Sequence, residues 1–155
     1  MKIFLRNLKD SDIDILLSTE NDEELWNYST QNKPFSKSTI KNYIENASVQ
    51  DIFVAKQKRF VITSSEINVL GFIDLFDYNS DKQNAFVGIV VLDQYRKRGI
   101  GFDSIKLLEL YCVSQIRIIK LYALIDSNNL KSIKLFKKSS FIKKHNNLYE
   151  KLLNE

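Results

Sequence analysis

One stretch constrains this chain more than any other. Residues Ala85 to Leu92 form a long β-prone run, and the basic segment Arg96-Lys97-Arg98-Gly99-Ile100-Gly101 follows closely. The segment runs into a helical pattern with Ile105, Leu108, Tyr111 and Cys112 on one face. A strand, a glycine loop and a helix in this order leave the first N–H groups of the helix unpaired. The aligned peptide dipoles add partial positive charge at the same end, which suits an anion such as phosphate. Gly99 and Gly101 let backbone approach such an anion without a Cβ in the way, and they can supply positive φ. Arg96, Lys97 and Arg98 add charge beside it. Taken alone, Gly-x-Gly reads first as an ordinary basic surface loop. It is not a Walker A loop, since no Gly-Lys-Ser/Thr follows, and it lacks the third glycine of a dinucleotide fingerprint.

The rest of the chain alternates between strand and helix patterns. Lys2 to Arg6 reads as a strand, and Asp10-Ser11-Asp12 opens a short helix with Ile13, Leu16 and Leu17, capped by Asp10 or Ser11. Helical pieces are expected near Asp22 to Tyr28 and from Ser36 through Ala47, with the loop Gln31 to Phe35 between them. Phe60 to Ser64 and Val69 to Phe76 read as an antiparallel pair, followed by a polar turn from Asp77 to Lys82. Beyond the glycine loop and its helix, Arg117 to Ile125 is a strand and Asn128-Asn129 caps a helix through Ile133, Phe136 and Lys137. Phe141 to Lys144 and Leu148 to Leu153 close the chain as a hairpin. This pattern is an α+β domain around one mixed sheet, with residues 1–155 as a single unit.

Composition narrows the chemistry. Apolar residues make up 44% of 155 positions, enough for a core, and the net charge of +4 is too mild to argue for nucleic acid. One cysteine and one histidine exclude a disulfide framework and a Cys- or His-cluster metal site. His145 lies in the polar run Lys143 to Asn147 and reads as an exposed turn histidine. No apolar run is long enough to span a bilayer and the N-terminus lacks a secretory core, so a cytoplasmic protein with no membrane partner is expected.

Two blocks carry a family likeness. Arg96-Lys97-Arg98-Gly99-Ile100-Gly101 fits Arg/Gln-x-x-Gly-x-Gly/Ala, and Asn129-Leu130-Lys131-Ser132-Ile133-Lys134-Leu135-Phe136 through Phe141 follows one helix and one strand later. In this order the chain resembles the GNAT family of N-acetyltransferases, over about Phe4 to Phe141. Phe4-Leu5-Arg6 with Asp12, and Leu70 to Leu75, look like the branch of ribosomal-protein and spermidine N-acetyltransferases.

The resemblance implies a mixed sheet with helices on both faces and acetyl-CoA in a cleft where the strands around Val91 and Leu124 part. Amides from Arg98 to Phe102 would hold its diphosphate, and backbone on Gly88 to Leu92 would pair with its pantetheine arm. An N–H near Val90 or Val91 would face the thioester oxygen. Asn129 would bond the pantetheine arm or a water, or serve as a plain helix cap. Ser132 and Phe136 would line the same wall. Many relatives carry Tyr where this chain has Phe136 and Glu where it has Phe86, so two common acid/base positions are apolar. Asp74 is then the preferred base or acceptor anchor, with Asp126 and Tyr122 in reserve. Ser140 replaces the usual Gly and implies a changed turn.

Seven carboxylates and no Lys or Arg lie between Asp10 and Glu24, either a solvated face or a rim that attracts a cationic amine. Trp26 and Tyr28 would form an aromatic wall or simply core, and the lysines from Lys131 to Lys138 would face outward, within reach of a CoA phosphate. The expected function is acetyl transfer from acetyl-CoA to a primary amine by direct attack, and the resemblance, to a branch in which dimers are common, allows a homodimer. The alternative is a catalytically silent acetyl-CoA sensor or partner-binding module. Cys112, on an apolar helix face, is a poor nucleophile, and nucleic-acid binding lacks an aromatic platform or a reading helix.

Overall fold

The structure is a computed structural model, and it describes residues 1–20 and 52–153. In chain order the elements are β1 (Ile3–Asn7), a 3-10 turn (Asp10–Asp12) leading into α1 (Ile13–Glu20), α2 (Ile52–Ala55), β2 (Lys58–Ser64), β3 (Gly71–Asn79) and β4 (Asn84–Val91). A second 3-10 turn (Asp93–Tyr95) precedes α3 (Ile100–Gln115), β5 (Lys120–Leu124), α4 (Leu130–Lys138), β6 (Ile142–His145) and β7 (Leu148–Leu152). The seven strands lie in the order β1-β2-β3-β4-β5-β7-β6. Every neighbouring pair is antiparallel except β4 with β5.

Strand alternation sends apolar side chains to both faces. On one face Ile62, Ile73, Leu75, Val87, Leu121 and Ala123 pack against Ile105, Leu108 and Cys112 of α3 and Phe136 of α4. On the other, Val61, Phe72 and Val69 meet Leu8 and Leu16, which brings α1 onto the sheet. Leu16 and Leu108 are fully buried. Each such side chain contributes about 1.5–3 kcal/mol relative to exposure. Helices therefore cover both faces, as the resemblance implied.

The first turn differs from its expected cap. Lys9, not Asp10 or Ser11, occupies the cap position, and its backbone N–H donates to Asp12 Oδ2 at 2.9 Å. Asp12 is fully buried and receives two bonds from the Arg6 guanidinium, at 2.9 and 2.8 Å. Arg6 also donates to the Asn68 carbonyl at 3.2 Å, tying β1 and α1 to the β2–β3 turn. Burial alone would raise the Asp12 pKa. The Arg6 hydrogen bonds, the Lys9 N–H and the nearby positive charges outweigh it and hold the carboxyl below its ordinary range.

Strand ends shift where the pattern was ambiguous. β3 continues to Asn79 because a bulge between Phe76 and Asn79 puts Asp77 outward at φ +49° and Tyr78 inward. β5 begins at Lys120, three residues after Arg117, whose φ of +53° is incompatible with a strand. The expected helices near Asp22 to Tyr28 and Ser36 to Ala47 lie outside the described residues. Among the described residues no helix is long and apolar enough to cross a membrane.

Candidate active site

Strands β4 and β5 share only three paired positions, Asn84 with Lys120, Ala85 with Leu121, and Phe86 with Tyr122. Past Phe86, β4 stays with β3 as far as Val91, while β5 stays with β7 at Ala123 and Leu124. A wedge therefore opens between residues 87–91 and the end of β5. The Leu92 N–H bonds the Leu70 carbonyl, and a Cβ on Gly71 would collide with the Val90 carbonyl. Leu92 and Val90 thus turn their backbone toward β3. By alternation, the backbone groups of Val87, Ile89 and Val91 face the wedge. The two thioester-facing candidates separate here: Val91 presents its N–H to the gap, and Val90 does not.

The loop that follows is braced by its own first residue. Arg96 Nε donates to the Val91 carbonyl at 3.0 Å, and its Nη1 pairs with Asp93 at 2.6 Å. This guanidinium fastens the loop to the end of β4, while Lys97 and Arg98 stay exposed and Arg98 lies over the Tyr95 ring at 5.9 Å. Lys97 and Gly99 both have positive φ, +65° and +77°. Gly99 is the cap residue of α3, and no side chain caps the helix. The N–H groups of Ile100, Gly101 and Phe102 accordingly have no partner within the helix. They form a concave cluster of donors at the positive end of a 16-residue helix.

The two glycines do different work. A Cβ on Gly99 would meet no atom within 4 Å, so its space is open to an incoming group. A Cβ on Gly101 would lie 3.0 Å from Leu135 Cδ2, so this glycine lets α3 pack closely on α4. Ile100, only 4% exposed, anchors the first turn from below, and Ser104 Oγ donates to the Ile100 carbonyl at 2.7 Å.

The far wall comes from α4. Asn129 Oδ1 accepts the Ser132 N–H at 3.2 Å, so Asn129 is the cap of this helix and Ser132 the residue it caps. Asp126 is engaged in the preceding turn, accepting the Asn128 N–H on its side chain at 2.8 Å and the Asn129 N–H on its carbonyl at 2.9 Å. Phe136 is buried with its ring edge-on to Phe141, centroids 4.9 Å apart.

On the sheet face that carries α1, Asp74 pairs with Gly88 across β3 and β4. A Cβ at Gly88 would come 2.8 Å from Asp74 Oδ1, so the carboxylate occupies the space that the missing side chain leaves. Arg59 Nη2 stands 3.9 Å from Asp74 Oδ2. Beside them Phe76, Phe86 and Tyr122 form an aromatic tier across three strands, with centroid separations of 5.5 and 5.2 Å. Phe86 and Tyr122 are the last pair before the wedge opens. Register alone creates this tier, and only the β4–β5 alignment could have announced it.

Other candidates fall elsewhere. Asp12, counted with the acidic rim, is spent on Arg6, and Asp22, Glu23, Glu24, Trp26 and Tyr28 lie outside the described residues. Cys112 is buried, and that burial, with Glu109 nearby, pushes its thiol up to about 12, which removes it as a nucleophile. His145 is exposed at the end of β6.

Comparison with known proteins agrees with this fold. A family model described as an acetyltransferase (GNAT) domain matches residues 2–142. The SPbeta prophage-derived uncharacterized N-acetyltransferase YokL of Bacillus subtilis (strain 168) is 27% identical over 141 residues, covering 90% of this chain and 75% of that protein. The spermidine N(1)-acetyltransferase of Escherichia coli (strain K12) is 22% identical over 139 residues, covering 88% of this chain and 71% of that one. Among solved structures, the spermidine N-acetyltransferase from Vibrio cholerae in complex with CoA and spermine superposes with a TM-score of 0.86 at 16% identity, over 97% of this chain and 95% of that chain. The chain belongs to the GNAT acetyltransferase family, and acetyl-CoA is its cosubstrate.

Proposed function

We propose that this protein moves the acetyl group of acetyl-CoA directly to a primary amine, and that the amine belongs to a cationic acceptor of the polyamine class. The observation that carries the reading is the uncapped start of α3 at the mouth of the wedge, where free N–H donors, an open Gly99 and a split sheet occur together. Such a start suits a diphosphate. The wedge-facing backbone of Val87, Ile89 and Val91 suits an amide-bearing arm laid alongside β4. Similarity to spermidine N-acetyltransferases supports the acceptor class.

In this reading the acceptor enters from the face that carries Asp74. The carboxylate over Gly88 orients the amine and takes up its proton, directly or through water. The amine nitrogen attacks the thioester carbon, and the Val91 N–H steadies charge on the carbonyl oxygen. The C–S bond breaks, and the departing thiolate takes its proton from solvent, since Phe136 has none to give. Asn129 keeps its amide nitrogen for the arm or a water while its oxygen caps α4. Holding both reactants in line provides most of the acceleration.

A second reading has its own support. Phe136 and Phe86 are both locked in aromatic contacts at positions where an acid and a base would help, as in a module that senses acetyl-CoA without using it. Calorimetry with acetyl-CoA, followed by thiol release in the presence of spermidine and other amines, separates the two. Binding with amine-dependent thiol release establishes transfer. Binding without release across the amine set favours the sensor, and absence of binding removes both.

A further inference from the structure

The sheet face that carries α1 also carries an apolar strip outside the α1 cluster. That cluster takes in Val61, Val69 and Phe72 and stops there. Helices α3 and α4 pack on the opposite face, against Leu121 and Ala123. Phe76, Phe86 and Tyr122 belong to neither cluster and stay half-buried. Their rings follow one another at centroid separations of 5.5 and 5.2 Å, paving about 10 Å of sheet across two strand spacings. By alternation Leu124 shares the face of Tyr122, and it is 60% exposed. Its partner on β7 is Leu148, itself half-buried.

The strip borders the wedge. Phe86 and Tyr122 pair just before β4 and β5 part, so Gly88 follows on one bank and Leu124 on the other. Asp74 stands over Gly88. A group held at Asp74 therefore has the three rings toward the closed end of the wedge and Leu124 across the gap. Asp74 and Phe76 are separated by about 6–7 Å along β3, roughly the length of a butylamine chain.

Charge decides which end of an amine goes where. Asp74, with Arg59 Nη2 at 3.9 Å, flanks the strip on one side. On the other, Lys120 Nζ lies 5.8 Å from the Tyr122 centroid. Glu150 is shared there between Lys120 at 3.9 Å and Lys144 at 3.3 Å. Two cations against one carboxylate make that flank unfavourable for an ammonium, which leaves Asp74 for it. Whatever follows the nitrogen then lies on rings and leucine. Apolar atoms gain by leaving water there, whereas an amide or hydroxyl would lose its hydrogen bonds without replacement.

We infer that Phe76, Phe86, Tyr122 and Leu124 form a specificity wall for the apolar spacer beside the acceptor's amine. The inference rests on the amine-transfer reading and narrows it. The preferred acceptor carries an unbroken alkyl or aryl segment next to its nitrogen. An aminoalkyl chain meets that condition; an amino-acid amide or a protein N-terminus, with a peptide group one carbon away, does not.

The test measures kcat/KM for ethylamine, propylamine, butylamine and pentylamine, which match in charge and basicity, by thiol release at saturating acetyl-CoA. In wild type the value should rise about twofold with each added methylene, the gain from burial against one wall. Leu124→Ser changes an exposed side chain, which the fold tolerates, and should at least halve the overall rise. Phe86→Ala should flatten it further. Tyr122→Phe keeps the ring and should retain the rise that Tyr122→Ser loses. Leu110→Ser on α3, 67% exposed, should keep the wild-type profile. Circular dichroism on each variant confirms folding. Equal wild-type values for the four amines overturn the wall while amine transfer stands. So does a rise that survives both Leu124→Ser and Phe86→Ala. Bound acetyl-CoA that yields no thiol with any alkylamine or with spermidine overturns the transfer reading, and the wall with it.

Discussion

The carboxylate of Asp74 fills the room left by the absent side chain of Gly88, its partner on the adjacent strand. Glycine at 88 is thus a condition for where Asp74 points. Gly88→Ala should push the carboxylate aside and lower kcat/KM for the amine by about tenfold, because misplacement of an orienting group is costly. Asp74→Asn keeps the shape and loses the charge, and should lower it about a hundredfold. Steady-state kinetics should show both effects with KM for acetyl-CoA unchanged.

At Gly99 the surroundings are empty, so bulk there costs the fold little beyond the strain of positive φ, about 1–3 kcal/mol. Gly99→Trp should leave a cooperative thermal transition and abolish acetyl-CoA binding. Calorimetry and a melting curve on the same sample check both halves.

Gly71 and Gly101 rank differently. A Cβ on Gly71 meets the backbone carbonyl of Val90, which cannot yield without parting β3 from β4. Gly71→Ala should therefore cost more than about 3 kcal/mol by urea titration. A Cβ on Gly101 meets the tip of Leu135, a side chain that can rotate, and Gly101→Ala should cost about 1 kcal/mol or less.

Asp12 should make the fold sensitive to acid. Its carboxyl ionises at lower pH in the folded chain than in the unfolded one, so its contribution is complete above the ordinary carboxylate value, about 3.9. It is lost as pH falls below that value and through the lowered folded pKa. Asp12→Asn should remove about 3–5 kcal/mol at neutral pH by leaving the Arg6 charge unmatched. The variant should also lose stability less steeply than wild type below pH 4, as urea titrations at stepped pH would show.

What could be read from the chain beforehand divides by range. The loop from Arg96 to Gly101 is contiguous, so its two glycines and three cations were visible in six letters, although alone they read first as an ordinary basic loop. The asymmetry between Gly99 and Gly101 was not, because Leu135 lies more than thirty residues away. Arg96 counted as charge for a ligand, yet its guanidinium is occupied by Val91 and Asp93, which only the folded turn brings near. The alternation of β4 was plain. The choice between Val90 and Val91 as a donor depended on register with β3, fixed by residues around Gly71. Helix α2 has four residues, less than any periodic pattern needs to declare itself.

The brief parallel contact between β4 and β5 has a wider meaning. The sheet consists of two rafts, one of four strands and one of three, whose strands bond to each other at a single corner from Asn84 to Phe86. A guest bound in the notch would touch both rafts and bridge a seam that the polypeptide leaves unsewn, so it would reinforce the architecture.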